Sequence, residues 1–330
     1  MSSWIEKGWY SGGKAVYLLL PLSGLFWLIS AFRRWLFKIK VLRQVTNQLP
    51  VIVVGNITVG GTGKTPFVLY LVSLLQSQGF KPGIVSRGYG ADSTLPFPRL
   101  ITPDSDVNSS GDEPKLLALR SGAPVVISPK RAEAVEYLRN HANVDVVISD
   151  DGLQHYEMAR ALEIVLVDGN RQFGNGFLLP AGPLREPRSR LESTDLVVFN
   201  EGFAVIGDYR LQTGNIYSLK KPDLKAELGQ IQGVHLVSGI GNPTRFVDTV
   251  KGLNLEIKSE TWYPDHHPFS EPDFQQFAHI PEGEVVLMTE KDAVKCAQFA
   301  KENWFVLPIS AAISEALEQR LLKLVKVTVK

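Results

Sequence analysis

LPVIVVGNITVGGTGKTPFVLYLVSLL, residues 49–75, is the stretch that decides the fold. Leu49 to Thr58 is a short β-branched run bounded by Pro and Gly signals, the pattern of a buried strand. Phe67, Val68, Leu71, Val72, Leu74 and Leu75 then recur at helical spacing. Between them lies VGGTGKT (Val59–Thr65), a Gly-rich loop in the place where a P-loop belongs. The backbone N–H groups of Gly60, Gly61, Thr62 and Gly63 can converge on phosphate oxygens, Lys64 can reach the terminal phosphates, and Thr65 can hold Mg²⁺. Thr58 stands where the first glycine of GxxxxGK[ST] is usual. A Gly-rich turn that binds nothing is the plain alternative, and the strand before and helix after favour nucleoside triphosphate binding.

Working outward, PGIVSRGY (82–89), APVVIS (123–128), VDVVISD (144–150), LEIVLVD (162–168) and DLVVFN (195–200) are further strand candidates. Helical patterns such as KRAEAVEYLRNH separate several of them. Nearly continuous apolar strands alternating with helices predict an α/β fold, a P-loop NTPase-like parallel sheet with helices on both faces. After a polar stretch with Gly and Pro come VHLVSGIG, a helix after Pro243, EVVLMTE, NWFVLPI and a closing helix from Ser314, which predict a smaller C-terminal α/β lobe. A length of 330 residues suits two lobes. The expected division is an N-terminal membrane-associated segment over 1–43, a P-loop core over 44–205, a linker over 206–232 and the smaller lobe over 233–330.

VDVVISDDG (144–152) ends a buried strand on Asp150 and Asp151, the placement of a Walker B segment for Mg²⁺. The pair could instead cap the next turn, but ligands gather outside the carboxyl ends of parallel strands. Spacing does not say which acid touches a metal. TEKD (289–292) carries its lysine one place too late for a guanine-reading NKxD segment, so the expected nucleotide is ATP. SRGYG (86–90), GDEPKLLA (111–118), DDGLQHY (150–156), FGNGFLLPAGPLREP (173–187) and DHHPF (265–269) are denser in polar, Gly and Pro residues than ordinary loops require. Singly, each reads as a helix start, an ion pair or a loop. Beside a P-loop they supply a metal clamp, a cation and a base, which is what phosphoryl transfer to an alcohol requires.

Thirty-five Lys and Arg against 34 Asp and Glu leave a formal charge of +1, which gives no reason to expect a nucleic-acid partner. The total hides an asymmetry, because no carboxylate stands between Glu6 and Asp92. Ala15 to Phe32 is uncharged, close to the ~18–20 apolar residues of a bilayer span. Arg33, Arg34, Lys38 and Lys40 follow at once, and Trp9, Tyr10, Tyr17, Trp27 and Trp35 surround the run as headgroup-seeking rings. A signal peptide would be followed by a small-residue cleavage site, which is lacking here. A buried core helix is the other rival, and Pro21 with Gly24 allows a broken, re-entrant or surface-lying helix as well as a span. Basic residues on the C-terminal side would hold the rest of the chain in the cytoplasm. Cys296, the only cysteine, excludes an intrachain disulfide and a cysteine-built zinc site.

GNITVGGTGKTP, SRGYG, GDEP, SPKR, DDGLQH, FGNGFLLPAGPLREP, SGIGNPTRF, DHHPF and TEKDAVK, in this order, resemble the tetraacyldisaccharide 4'-kinase family of lipid A biosynthesis in Gram-negative bacteria. The resemblance runs from the apolar segment to the end of the second lobe. It implies a kinase at the cytoplasmic face of the bacterial inner membrane. Such an enzyme uses ATP and Mg²⁺ to phosphorylate the 4'-hydroxyl of a tetraacylated glucosamine disaccharide 1-phosphate in a cleft between two lobes. Neither a nucleic acid nor an obligatory protein partner is implied.

Carried over residue by residue, the resemblance puts Lys64 and Thr65 at the phosphate and Mg²⁺ positions of the P-loop. Asp112 of GDEP matches the partner of a histidine in DHH, assigned to His266 with His267 as the alternative, in a dyad that takes the hydroxyl proton. Asp150 and Asp151 match the acidic pair, Gln154 (assigned to the ATP site) and His155 the polar positions after it, and Arg185 and Glu186 the LREP pair near phosphates and metal. Ala161 departs from the pattern, where an aspartate is expected. The chemistry is coherent: histidine is a base suited to neutral pH, a carboxylate orients it, and an arginine offsets charge on the transferring phosphoryl oxygens.

Overall fold

Val51–Gly55, strand β1, is buried along its whole length, so apolar layers must cover it on both faces. The structure, a computed structural model, describes residues 3–200 and 208–329. The expected boundary between core and linker at 205/206 lies outside the described residues.

Further strands follow as β2 (Pro82–Ser86), β3 (Arg99–Ile101), β4 (Val125–Ile127), β5 (Val146–Asp150), β6 (Leu162–Asp168), β7 (Leu196–Asn200) and β8 (Tyr209–Thr213). The second set is β9 (Tyr217–Ser218), β10 (Gly233–Ser238), β11 (Ile257–Trp262), β12 (Glu284–Thr289) and β13 (Trp304–Leu307), and the last strand is β14 (Ile309–Ile313). A nine-stranded sheet runs in the order β14-β8-β7-β6-β1-β5-β2-β4-β3. It is parallel inside and antiparallel only at its two edge pairs, β3 with β4 and β8 with β14. The second sheet, β11-β10-β12-β13-β9, is parallel except for the β13–β9 pair.

Alternation along the strands sorts the core into two layers. Ile52, Val54, Ile84 and Ile148 pack with Phe67, Leu71 and Leu75 of the helix Lys64–Ser77. Val51, Val53, Val85 and Val147 face the other way, against Ala134, Val135 and Leu138 of the helix Arg131–His141. Successive strand residues point to opposite faces, which is why one apolar run feeds both layers. Leu71 and Leu75 are fully buried; truncating either to Ala would cost about 2–5 kcal/mol.

The end of the chain departs from the expected division. β14 and the helix Glu315–Thr328, read in the sequence as part of the smaller lobe, return to the large sheet. β14 pairs with β8, and Leu317, Leu321 and Val325 pack in the first core. Ile309–Ile313 finds an open edge at β8, and the amphipathic helix behind it buries its apolar face against the same layer.

At the front, the helical run Lys14–Lys38 is long and apolar enough to cross a membrane, with 11% of its apolar window buried. It leans on the body through one stripe. Ser23 Oγ donates to Leu178 O (2.9 Å) and accepts from Ala181 N (3.0 Å), while Phe37 packs on Tyr156 with ring centroids 6.0 Å apart. Leu18, Leu22, Leu25, Leu28, Ile29 and Phe32 are exposed.

Candidate active site

In the large sheet Val54 sits beside Asp150 in the β1–β5 register, so the loop leaving β1 and the acids ending β5 emerge together. Gly63 closes the loop at φ +82°, and a Cβ there would lie 2.5 Å from Tyr209 Oη, so both backbone and space demand glycine. Tyr209 Oη donates to Thr62 O at 2.6 Å, pinning the loop to β8.

Lys64 Nζ donates to Asn56 Oδ1 at 3.2 Å and lies 3.4 Å from Asp151 Oδ1. Arg185 Nη1 meets Asp151 Oδ2 at 3.1 Å. Burial would raise the Asp151 carboxyl, but the charges of Lys64 and Arg185 outweigh it and hold it near 2, with Asp151 itself at φ +47°. Asp150 differs. It is buried, its Oδ1 has no partner, and desolvation with the charges of Glu113 and Asp151 pushes it up to about 7. An orphaned buried carboxylate oxygen beside a phosphate loop suits a cation. Among the described residues no three His, Cys, Asp or Glu side chains form a metal cluster.

Glu186, 3% exposed, accepts from Gln154 Nε2 (2.8 Å) and from the Tyr156 hydroxyl. Arg190 Nε (3.3 Å) and Arg34 Nη1 of the apolar helix (3.6 Å) also approach it. Its oxygens are thus occupied by donors from the chain. Gln154 reaches Asn56 O at 3.3 Å as well, so Gln154 and Glu186 brace the loop from below.

Across the cleft, His266 Nδ1 meets Asp112 Oδ2 at 2.9 Å and Oδ1 at 3.0 Å. Burial alone would raise the Asp112 carboxyl, but the His266 hydrogen bond and the charges of Lys291 and Lys295 take it below its ordinary value. The helix Asp112–Ser121 starts after Gly111, whose φ of +79° and contact with Tyr89 O leave no room for a Cβ. The Tyr89 ring covers His266 at 4.6 Å between centroids. His266 is held at φ +63°, an energetically costly backbone of the kind that collects at functional sites. His267 faces away, stacked on Tyr263 at 4.4 Å with Nε2 3.3 Å from Asp273. The structure therefore sets His266, not His267, on Asp112.

A cleft of about 1550 Å³ joins these groups, with Gly60, Lys64, Asp150, Arg185 and His266 in its wall, and it opens onto Phe26 and Ile29 of the apolar helix. Residues given no role at the site by the sequence also line it: Arg87, Arg131, Glu113 and Lys291. Arg131 is a buried arginine whose Nη1 donates to Ser128 O at 2.8 Å, and desolvation lowers its pKa to about 10. SPKR and SRGYG carry these arginines, and only the register of β2 and β4 shows that both motifs leave adjacent strands at the same edge of the cleft.

A phosphate loop, an acid at the end of the neighbouring strand and an aspartate–histidine pair facing them across a cleft define a P-loop phosphotransferase of the α/β class. The comparisons agree. The tetraacyldisaccharide-1-P 4'-kinase family model matches residues 15–326. A tetraacyldisaccharide 4'-kinase of Methylobacillus flagellatus is 46% identical over 326 residues, covering 97% of this chain and 95% of the relative. One from Pseudoalteromonas translucida is 45% identical over 329 residues, covering 98% and 97%. The crystal structure of LpxK from Aquifex aeolicus in complex with ATP superposes with a TM-score of 0.78 at 29% identity, covering 96% of this chain and all of that one. The chain belongs to the tetraacyldisaccharide-1-P 4'-kinase family, and it is a kinase.

Proposed function

We infer that this enzyme transfers the γ-phosphate of ATP to the 4'-hydroxyl of a tetraacylated disaccharide 1-phosphate, giving the 4'-phosphorylated lipid A precursor. The observation that carries the reading is the cleft itself, whose wall is shared by the phosphate loop, His266 and the half-buried Phe26 and exposed Ile29 of the apolar helix. A soluble acceptor has no use for such a mouth, whereas a lipid can present its sugar from the bilayer.

In this reading the loop Gly60–Thr65 binds the β- and γ-phosphates and Lys64 leaves Asp151 for them. Arg185 offsets charge on the transferring oxygens. His266 Nε2 takes the hydroxyl proton while Asp112 holds the ring and stabilises the imidazolium. Thr65, Asp150, Asp151 and Glu186 are the residues assigned to Mg²⁺. Of these, Asp150 has the free buried oxygen, and Glu186 is already engaged by Gln154, Tyr156 and Arg190. Bound there, the ion would supply neutralisation of the phosphate charge.

The helix Leu20–Lys38 touches the body from Ser23 to Phe37. A perpendicular span would drag the loop Phe177–Ala181 into hydrocarbon, so the helix is read as lying in the interface with Leu22, Leu25, Ile29 and Phe32 toward the acyl chains. Its exposed Arg33 and Lys38 suit an anionic surface, here the cytoplasmic leaflet of the inner membrane.

The decisive experiment is transfer of label from [γ-³²P]ATP with Mg²⁺ to tetraacyldisaccharide 1-phosphate in mixed micelles. A labelled bisphosphorylated lipid supports the reading. Efficient labelling of soluble sugars with none of the lipid would refute it.

A further inference from the structure

TEKD (289–292), whose lysine comes one place too late for a guanine-reading segment, sets that lysine against His266. Thr289 caps the helix Glu290–Cys296, accepting from Asp292 N. The buried Asp292 in turn accepts from Ser238 Oγ (2.6 Å) and Gly239 N (3.2 Å), so the first turn carrying Lys291 is fixed. Lys291 Nζ lies 3.1 Å from Glu113 Oε1, 3.3 Å from Asp265 Oδ1 and 3.3 Å from His266 Nε2. Glu113 belongs to the large-sheet lobe and the other two to the smaller one, so the ammonium spans the cleft. Burial opposes its charge, but Glu113, Asp112 and Asp265 outweigh that and raise its pKa.

An ammonium has three donors and no acceptor. The His266 nitrogen that it meets must therefore be an unprotonated Nε2, which leaves Nδ1 carrying the proton donated to Asp112. That is the tautomer required of a base, with its lone pair already engaged.

We infer that Lys291 is a positioning residue that caps the proton-accepting Nε2 of His266 in the acceptor-free enzyme and yields that atom to the acceptor hydroxyl. The inference rests on the kinase reading above. When the sugar arrives, the ammonium keeps Glu113 and Asp265, and the hydroxyl takes its place on Nε2. The hydroxyl oxygen bonds to the γ-phosphorus as the bond from phosphorus to the ADP oxygen breaks, and the hydroxyl proton passes to Nε2. Water has no remote contacts with which to displace an ion-paired lysine, whereas a lipid-linked disaccharide does. The cap thus suppresses hydrolysis of ATP in the absence of the acceptor.

The test uses the full chain in mixed micelles and measures acceptor-independent ATP hydrolysis alongside labelled transfer to tetraacyldisaccharide 1-phosphate. Lys291→Met is expected to raise hydrolysis about tenfold relative to wild type, equivalent to about 1.4 kcal/mol, while transfer falls. Lys291→Arg keeps hydrolysis low, and the rise vanishes in Lys291→Met/His266→Gln. Hydrolysis and transfer falling together in Lys291→Met, or neither changing, overturns the cap, with Lys291→Ala repeating the measurement should Met pack badly. A second readout needs no activity. In ¹⁵N-histidine-labelled, ligand-free protein, with His266→Gln for assignment, the His266 Nε2 resonance moves downfield in Lys291→Met and not in Lys291→Arg. An unmoved resonance overturns the cap. If wild type makes no labelled lipid, the kinase reading fails while the imidazole shift still decides the cap.

Discussion

His266 Nδ1 and Asp112 Oδ2 sit 2.9 Å apart although 154 positions separate them in the chain. The pair exists only when the two lobes are together, so the base is assembled by tertiary structure. His266→Ala and Asp112→Asn should each lower kcat by about 10²–10⁴ with ATP binding kept, the range of a lost general base. His267→Ala should leave kcat within about tenfold, since His267 packs on Tyr263 and Asp273 instead. Single-turnover transfer rates beside nucleotide titrations check all three; a larger kcat loss in His267→Ala than in His266→Ala would reverse the assignment.

Gly63 and Tyr209 make a second, independent forecast. Gly63→Ala forces a side chain onto a φ of +82° and against Tyr209 Oη. Positive-φ strain alone is worth about 1–3 kcal/mol, so ATP affinity should fall tenfold or more. Adding Tyr209→Phe removes the hydroxyl in the way and should recover part of the loss. Isothermal titration with ATP distinguishes recovery from simple additivity.

His155 ties stability to pH. Burial, followed by the charges of Arg131, Arg87, Arg33 and Arg160, depresses its pKa from the ordinary 6.5 to about 4. Between these values the unfolded chain binds a proton that the folded one refuses, so stability falls as pH drops through that window. His155→Gln removes the proton site from both states. Denaturant midpoints at pH 7.5, 6 and 5 should therefore decline less steeply in the variant than in wild type.

Asp292 has no exposure and gathers Ser238, Gly239 N, Thr289 and Lys295. Asp292→Ala removes the nearer of the two carboxylates facing the buried Lys295, 3.1 Å away against 3.8 Å for Asp112, leaves Ser238 and Gly239 N without their acceptor, and should destabilise the smaller lobe by about 3 kcal/mol. Asp292→Asn, which keeps a carbonyl oxygen for Ser238 and Gly239 N, should lose less. Thermal unfolding followed by calorimetry separates the two.

Much of this architecture was legible in the chain. LEIVLVD (162–168) matches β6 end to end, and the strand, loop and helix around Lys64 formed where the apolar pattern put them. Where reading failed, the missing information was nonlocal. NWFVLPISAAI (303–313) holds two strands on either side of Pro308, and nothing in their composition says that they join different sheets. IKSETW (257–262) is too polar for a buried strand because β11 is an edge. Adjacent histidines at 266 and 267 are indistinguishable by motif; their roles separate through the left-handed backbone at His266 and the aromatic stack at His267. Lys291 needed the packing of the helix Glu290–Cys296 on the helix Asp112–Ser121, seen also in the Arg120–Glu290 ion pair.

The return of β14 to the edge of the large sheet bears on how the protein is made. The smaller lobe is inserted between β8 and β14, two strands that pair directly with each other. During synthesis the ribosome must deliver the whole insert before residues 309–313 exist to close that edge. The phosphate loop thus emerges early, with Tyr209 beneath it following some 150 residues later, and the nascent first lobe must wait with β8 open while the second lobe is completed.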